Sequence, residues 1–147
     1  MARVRLDVPA RFSFSTALDI HFNHINAGGH LDNAILLMFV SEARVRFFQQ
    51  LGYAEHAVED LSIVVADAAV QYLSEGFHGE TLVIEMVADD LNKYGFDLRY
   101  RISERKTGRE VARGKSGIVF IDPASRRIAP MPTAFRARLE PMSVQPG

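Results

Sequence analysis

One stretch of this chain constrains its fold more than any other: residues 34–51 are apolar on nearly every side of a predicted helix. Apolar residues recur there at spacings of three and four, which places one set on a single helical face: Leu36, Val40, Ala43, Phe47 and Leu51. A second set widens that face around the first two turns: Ile35, Leu37, Met38 and Phe39. Asp32 stands where an N-cap acceptor belongs, and Gly52 where a left-handed residue would end the helix. Such a helix has to be enclosed by the rest of the chain.

Five other segments have the patterns of strands. Period-two alternation or a short apolar run marks them: residues 12–22, 63–72, 82–89, 96–103 and 111–121. Four of them follow the helix in succession and are joined by turns, which predicts hairpins and an antiparallel sheet. We therefore predict an α+β fold of order β-α-β-β-β-β, in which a curved antiparallel sheet wraps around one long central helix.

Proline marks the limits of the predicted domain. All six prolines lie outside residues 10–122, so that span is free of the residue that most strongly breaks ladders and helices. Beyond Asp122 the chain mixes proline, serine and arginine with little periodicity. We predict a single domain over residues 8–122 and a C-terminal surface tail over residues 123–147.

Composition excludes several kinds of partner and site. The 17 Lys and Arg residues nearly balance the 18 Asp and Glu residues, so we expect no nucleic-acid partner and no membrane partner. The absence of cysteine excludes disulfides and thiolate metal ligands, and it fits a reducing compartment. No signal peptide is apparent, and no apolar run approaches the roughly 18 residues that cross a bilayer. We expect a soluble, cytoplasmic protein.

Chemical groups are densest in the loop before the helix, at residues 24–33. The loop contains two imidazoles, two carboxamides, a carboxylate and two adjacent glycines: His24, Asn26, Gly28, Gly29, His30, Asp32 and Asn33. Glycines let the backbone approach a ligand, and amides near a helix N-terminus can hold a carbonyl oxygen as negative charge develops on it. If the chain is an enzyme, we expect its active site to begin here.

Two residues of this loop are candidate bases. Imidazole titrates near neutral pH, which suits His30 to accept a proton from water; its alternative role is to hold the turn by bonding backbone carbonyls. Asp32 can orient that imidazole or act as the base itself, and its N-cap position explains it equally well.

The element order and these motifs together resemble one family. A long helix wrapped by a strongly curved antiparallel sheet is the hot-dog fold, and the chain resembles the 4-hydroxybenzoyl-CoA thioesterase-like group of hot-dog acyl-CoA thioesterases. That group carries the pattern D-x-D-x-x-G-H-x-N-N ahead of its helix, and residues 24–33 stand in its place. Further similarities follow in the same order along the chain: Ser41-Glu42-Ala43-Arg44, Tyr72-Leu73, Gly76, Gly79-Glu80 and Val119-Phe120-Ile121-Asp122.

The chain departs from that pattern at both acidic positions. The second one, which is the usual catalytic carboxylate of the group, is Asn26 here, and the first is His24. An amide has no basic lone pair at neutral pH, so Asn26 can orient a water or bond a carbonyl but cannot take a proton. His30 matches the Gly-His of the pattern, and the corresponding histidine is catalytic in plant acyl-carrier-protein thioesterases of this fold.

Two further sets of charged residues have competing interpretations. Glu42 lies inside the otherwise apolar helix, where the resemblance implies that a carboxylate can reach a neighbouring subunit's loop; alternatively it pairs with Arg46 four residues on. Four cations alternate along two late strands, where they either hold coenzyme A phosphates or form a solvated sheet face: Arg99, Arg101, Arg113 and Lys115.

We therefore predict a thioester hydrolase that attacks an acyl-CoA or acyl-carrier thioester with an activated water. We predict no metal, because the chain has no HExxH motif or other spaced ligand set, and no cofactor apart from coenzyme A as part of the substrate. The lack of a Gly-x-Ser-x-Gly elbow and of cysteine argues against a covalent serine or cysteine mechanism. The predicted catalytic residues are Asn26, His30, Asp32 and Glu42, and the predicted substrate contacts are His24, Gly28, Gly29 and Asn33.

The resemblance also implies a homodimer, or a tetramer made of two dimers.

Two alternative functions stay open. One is a hydratase or dehydratase of the same fold, whose Asp and His pairing is faintly echoed by His30-Leu31-Asp32. The other is a non-catalytic acyl-thioester sensor, which the amide at Asn26 permits.

Overall fold

Five strands form a single antiparallel sheet in the computed structural model, which describes residues 2–145. Their bounds are β1 (Phe14–Asp19), β2 (Ser62–Tyr72), β3 (Thr81–Asp89), β4 (Gly95–Glu104) and β5 (Glu110–Ile121). Helix α1 (Asn33–Gln50) lies between β1 and β2 in the chain, and α2 (Thr133–Leu139) follows β5. The order across the sheet is β1-β3-β4-β5-β2, with every neighbouring pair antiparallel. The predicted α+β fold and the order β-α-β-β-β-β are confirmed.

The inner face of the sheet and helix α1 share one core. The register places Ile84 opposite Ile102 and Met86 opposite Tyr100, and all four side chains are buried. Helix α1 contributes six buried side chains: Leu36, Phe39, Val40, Ala43, Phe47 and Phe48. Burying each of the large ones stabilises the fold by about 2 kcal/mol. The sheet therefore holds the helix through continuous apolar contact.

Both ends of α1 form as the sequence predicts, but its first turns are more exposed. The Asp32 carboxylate accepts hydrogen bonds from the Ala34 and Ile35 amides, and Gly52 takes the left-handed conformation with φ of 89°. Leu37 and Met38 are exposed, the latter by 63%. The sheet covers only one side of the helix, so the prediction that these turns are buried on most sides is wrong for the chain on its own.

The C-terminal segment is part of the core, which corrects the predicted surface tail. Phe135 of α2 is fully buried, and Met131 and Leu139 are buried beside it. The Phe135 ring stacks on Phe48 with 5.5 Å between centroids and meets Phe120 edge-on at 5.2 Å. A helix of one or two turns has too few apolar residues for a period to stand out, which is why the sequence pattern missed it. Residues 146–147 of the predicted tail lie outside the described residues.

The cations of the outer sheet face all have acidic partners. Each lies within salt-bridge distance of a carboxylate: Arg99 with Asp89, Arg101 with Glu85, Arg113 with Glu110 and Lys115 with Asp97. The separations are 2.7–3.2 Å, so much of the positive charge that a phosphate would meet is already balanced. The interpretation of these strands as a solvated sheet face is the one the structure favours.

Candidate functional site

The loop before α1 closes into a small hairpin. The backbone N–H of Asn26 donates to the His30 carbonyl at 3.0 Å. Gly29 at the tip has φ of 83°, a conformation that glycine adopts without steric cost. The Leu31 amide donates to the Gly76 carbonyl at 2.7 Å, which ties this loop to the turn between β2 and β3. The backbone around His30 is therefore held from both sides.

Asn26 organises the tip of this loop. Its side-chain oxygen accepts from the Gly28 amide at 2.9 Å, and its backbone carbonyl accepts from the Gly29 amide at 3.0 Å. Its side-chain amide donates to Asp32 Oδ2 at 3.4 Å. Both glycine N–H groups are thus already occupied and have no proton to offer a thioester oxygen. A Cβ at Gly28 would lie 3.1 Å from His30 Nε2, so glycine lets the imidazole come close.

Asp32 is the N-cap of α1. Its Oδ1 accepts from the Ala34 amide at 2.8 Å and from the Ile35 amide at 3.3 Å. These hydrogen bonds, the Ala34 one foremost, lower the pKa of Asp32 below its ordinary value. A carboxylate with a lowered pKa is a weaker base at neutral pH, so the geometry favours the capping role over proton transfer.

His30 opens onto a cavity of about 250 Å³ at the start of α1. Its Nδ1 lies 3.1 Å from the Leu31 carbonyl oxygen, an acceptor that requires a proton on Nδ1. In the neutral imidazole, Nε2 is then the unprotonated nitrogen. Nine residues line the cavity: His30, Leu31, Asn33, Leu36, Tyr72, Ser74, Glu75, Gly76 and Val111. The cavity therefore combines a basic nitrogen with largely apolar walls.

Asn33 lines the same cavity. The Tyr72 hydroxyl donates to the Asn33 carbonyl at 2.8 Å, which joins the edge strand β2 to the start of α1. The Asn33 N–H is the first of the helix, and within residues 2–145 it has no hydrogen-bond acceptor. A free N–H at a helix N-terminus attracts a developing negative charge.

Glu42 lies in a different depression, a groove of about 500 Å³ between β1 and α1. Its Oε2 accepts from Arg46 Nε at 3.0 Å, and Arg46 also donates to the Thr16 hydroxyl at 2.8 Å. Of the two interpretations of Glu42, the structure therefore contains the ion pair with Arg46. The groove is lined by Ala17, Leu18, Asp19, His21, His24, Ile35, Met38, Phe39, Glu42 and Arg46.

His24 shares that groove with Glu42. Its Nδ1 accepts from the His21 amide at 2.9 Å, and its ring stacks on that of His21 and meets Phe39 edge-on at 4.9 Å. Burial lowers the pKa of His24, and the neighbouring His21 lowers it further. His24 is accordingly a neutral, packed side chain in the place where the pattern has its first carboxylate.

The structure thus divides the predicted site residues between two places. His30 and Asn33 line the cavity at the helix start, with Asn26, Asp32 and the glycines forming its supporting loop, whereas His24 and Glu42 line the β1–α1 groove. Sequence reasoning missed Glu75, whose carboxylate lies 3.7 Å from His30 Nε2. The only signal for it was an acidic residue in a polar turn, which is too common a feature to single out.

Neither a cluster of metal ligands nor a membrane-spanning helix occurs in the part of the chain that the structure describes. Within residues 2–145 no group of three or more potential metal ligands comes together. None of the helices described is long and apolar enough to cross a membrane.

Comparison with known families identifies the chain. The family model described as the thioesterase-like superfamily matches residues 20–139, which include the loop, the whole sheet after β1 and α2. The chain belongs to the thioesterase-like superfamily. The match extends through α2, in keeping with the burial of that helix in the core. A search of curated proteins found no match.

Three solved structures with this fold each have less than 25% sequence identity to this superfamily member. A thioesterase from Thermus thermophilus, complexed with coenzyme A and Zn, is 24% identical with a TM-score of 0.75, aligned over 88% of this chain and 99% of its own. A putative thioesterase from Pseudomonas aeruginosa is 23% identical with a TM-score of 0.79, over 86% and 98%. A 1,4-dihydroxy-2-naphthoyl-CoA thioesterase from Synechocystis is 17% identical with a TM-score of 0.79, over 86% and 94%.

Proposed function

We propose that this chain hydrolyses an acyl-CoA or acyl-carrier thioester with a water activated by His30. The observation that carries the proposal is that His30, with an unprotonated Nε2 in the neutral ring, and Asn33, with the first N–H of the helix, line one cavity at the start of α1. Membership of the thioesterase-like superfamily supports thioester hydrolysis. Coenzyme A in the Thermus structure and the CoA thioester named for the Synechocystis enzyme support the substrate class.

The proposed reaction needs one base and one hydrogen-bond donor. His30 Nε2 takes a proton from water while the water oxygen attacks the carbonyl carbon. The Asn33 N–H, reinforced by the helix dipole, stabilises the negative charge that develops on the carbonyl oxygen. The carbon–sulfur bond then breaks, and the protonated imidazole returns its proton to the thiolate. The products are a carboxylic acid and a free thiol, and no metal or cofactor takes part.

Asn26 and Asp32 serve this reaction indirectly in the proposal. Asn26 anchors the two glycine amides, and Asp32 caps the helix and accepts from Asn26. Glu42 is held by Arg46 in the β1–α1 groove. The lack of a carboxylate at position 26 is then compatible with hydrolysis, because the proton goes to His30.

We further propose that two copies of the chain join through β2. This strand ends the sheet and is 11 residues long, and Val65 is 42% exposed on it beside exposed Ala66 and Ala68. A long apolar edge strand pairs readily with another strand. The exposed Leu37 and Met38 of α1 offer further apolar surface for the same dimer, and a tetramer would pair two such dimers. A cytoplasmic location stays a prediction from composition.

The test is thiol release from a panel of aliphatic and aromatic acyl-CoAs, followed with a thiol reagent while enoyl absorbance is recorded. We expect thiol release by the natural chain, a loss of about 100-fold in kcat for His30→Ala, and no change for His56→Ala, which alters an exposed histidine in a turn. A change in enoyl absorbance without thiol release would identify a hydratase or dehydratase instead. Saturable binding with neither signal would identify a sensor.

A further inference from the structure

Glu75 faces the base of the proposed reaction from a different loop. We infer that Glu75 is a positioning residue whose carboxylate stabilises the imidazolium that His30 becomes when it takes the proton. Glu75 lies in the turn between β2 and β3, far from His30 in sequence. The inference rests on the proposed function and deepens it.

The geometry of the pair places a carboxylate beside the nitrogen that accepts the proton. Glu75 Oε1 lies 3.7 Å from Nε2, while Nδ1 faces the Leu31 carbonyl oxygen at 3.1 Å. In the neutral ring the unprotonated Nε2 lies close to a negative carboxylate, and no proton is present between them. Once Nε2 is protonated, Nδ1 still donates to the Leu31 carbonyl, and the charged ring lies within ion-pair distance of the carboxylate. The Glu75 carboxylate therefore lies where it can stabilise the positive charge that the ring gains during the reaction.

The same two acceptors suit the attacking water. Neutral Nε2 and the Glu75 carboxylate can each accept a hydrogen bond from one of its two O–H groups. An oxygen lone pair is then directed away from both acceptors, toward a bound carbonyl carbon. Tyr72 and Asn33 line the same cavity, so the thioester that the Asn33 N–H would hold lies on that side. Glu75 would thereby orient the water as well as stabilise the charge.

Backbone hydrogen bonds hold the loop before α1 against the turn between β2 and β3. Leu31 follows His30 in the chain and Gly76 follows Glu75. The Leu31 amide donates a hydrogen bond to the Gly76 carbonyl at 2.7 Å. Gly76 is buried, and a Cβ there would lie 2.8 Å from Ile20 Cδ1. The Arg109 guanidinium donates to the Glu75 carbonyl at 2.9 Å. The backbone of Glu75 is therefore held next to the loop that carries His30.

Asp32 is the other carboxylate close to the imidazole, and it is already occupied. One of its oxygens accepts from the Ala34 amide and the other from the Asn26 side chain. The Glu75 side chain is 59% exposed and lies within ion-pair distance of His30 once that ring is protonated. Glu75 is thus the carboxylate near His30 that has no capping role.

The experiment compares Glu75→Gln with Glu140→Gln, which makes the same change at an exposed glutamate near the C-terminus. For the best acyl-CoA of the panel, we expect Glu75→Gln to lower kcat about fivefold and to change KM by less than roughly twofold, because the pair is partly exposed. Glu75→Asp should recover part of the loss. In a His30→Ala background, Glu75→Gln should have no further effect, since a residue acting through His30 has nothing left to act on.

Two results separate failure of the inference from failure of the proposed function. If the natural chain releases thiol and needs His30, while Glu75→Gln keeps full kcat, the inference is wrong and the function stands. If the natural chain releases no thiol from any acyl-CoA, both fall. Nitrogen-15 spectra of the histidine rings give a reading that does not depend on activity. The His30 signals should shift in Glu75→Gln and stay in place in Glu140→Gln, and unchanged signals in both variants would contradict the contact.

Discussion

The Asp32 carboxylate accepts a hydrogen bond from the Ala34 amide at 2.8 Å. Asp32, which the sequence offered as a candidate base, is therefore the N-cap of α1. Asparagine caps helices about as well as aspartate, whereas alanine does not cap them. We expect Asp32→Asn to keep kcat, and Asp32→Ala to lower the midpoint of thermal unfolding by about 3 °C. Calorimetry and thiol release check both variants. A loss of about 100-fold in kcat for Asp32→Asn would make Asp32 the base.

The contact between Asn26 and Asp32 predicts the effect of restoring the acidic residue of the pattern. Asn26→Asp keeps an acceptor for the Gly28 amide but places a second carboxylate where the amide donates to Asp32 at 3.4 Å. Like charges at this distance repel, so we expect a lower thermal midpoint at pH 7 and no gain in kcat. The double variant Asn26→Asp with Asp32→Asn exchanges the two groups and should recover the midpoint. A large gain in kcat for Asn26→Asp alone would show that position 26 is the site of a lost base.

The burial of Phe135 leads us to predict that the C-terminal helix α2 is needed for stability. Its ring is fully buried against Phe48, Phe96 and Phe120. Removing a buried aromatic ring leaves a cavity, so we expect Phe135→Ala to lower the free energy of unfolding by about 3 kcal/mol. Urea unfolding measures it, with Ala137→Ser on the exposed side of α2 as the control. Equal midpoints for the two variants would mean that α2 does not pack as described.

Glu104 predicts a loss of stability in acid. Its carboxylate accepts from the Lys106 amide at 2.6 Å and from Thr107, and the Lys106 bond is the main reason that the pKa of Glu104 lies below its ordinary value of 4.5. A lowered pKa means that the unfolded chain binds this proton more tightly, so the contribution is present above pH 4.5 and is lost as the pH falls through the folded value. Urea unfolding of Glu104→Gln should show a deficit at pH 7 that shrinks toward pH 3. A constant deficit would contradict this assignment.

Much of the fold follows from local patterns, as α1 and the strands show. The N-cap at Asp32 and the left-handed Gly52 form as predicted, because each depends on hydrogen bonds and backbone conformation within a few residues. Alternation in β3 and β4 predicts which side chains face α1, since a strand turns alternate residues to opposite faces. The first strand is shorter than its pattern, because the chain turns at Phe22–His24.

The candidate site was predictable only in part. The loop at residues 24–33 was visible as a dense group of polar residues, and His30 does line a cavity at the start of the helix. The partners of its residues were not visible. Glu42 pairs with Arg46 in a separate groove, and Glu75 reaches His30 from another turn. Periodicity says which face a residue occupies and nothing about which loop lies opposite.

The sequence by itself determined the order of the elements, the ends of α1 and the loop where polar groups concentrate, because helix caps, turns and periodic burial are set by residues near one another in the chain. Tertiary structure decided the rest. It placed α2 on the aromatic core, divided the predicted site residues between two depressions and brought Glu75 to His30. Those outcomes depend on the strand order β1-β3-β4-β5-β2 and on hydrogen bonds such as that from Leu31 to Gly76. Contacts of this kind join residues distant in sequence, so no local pattern contains them.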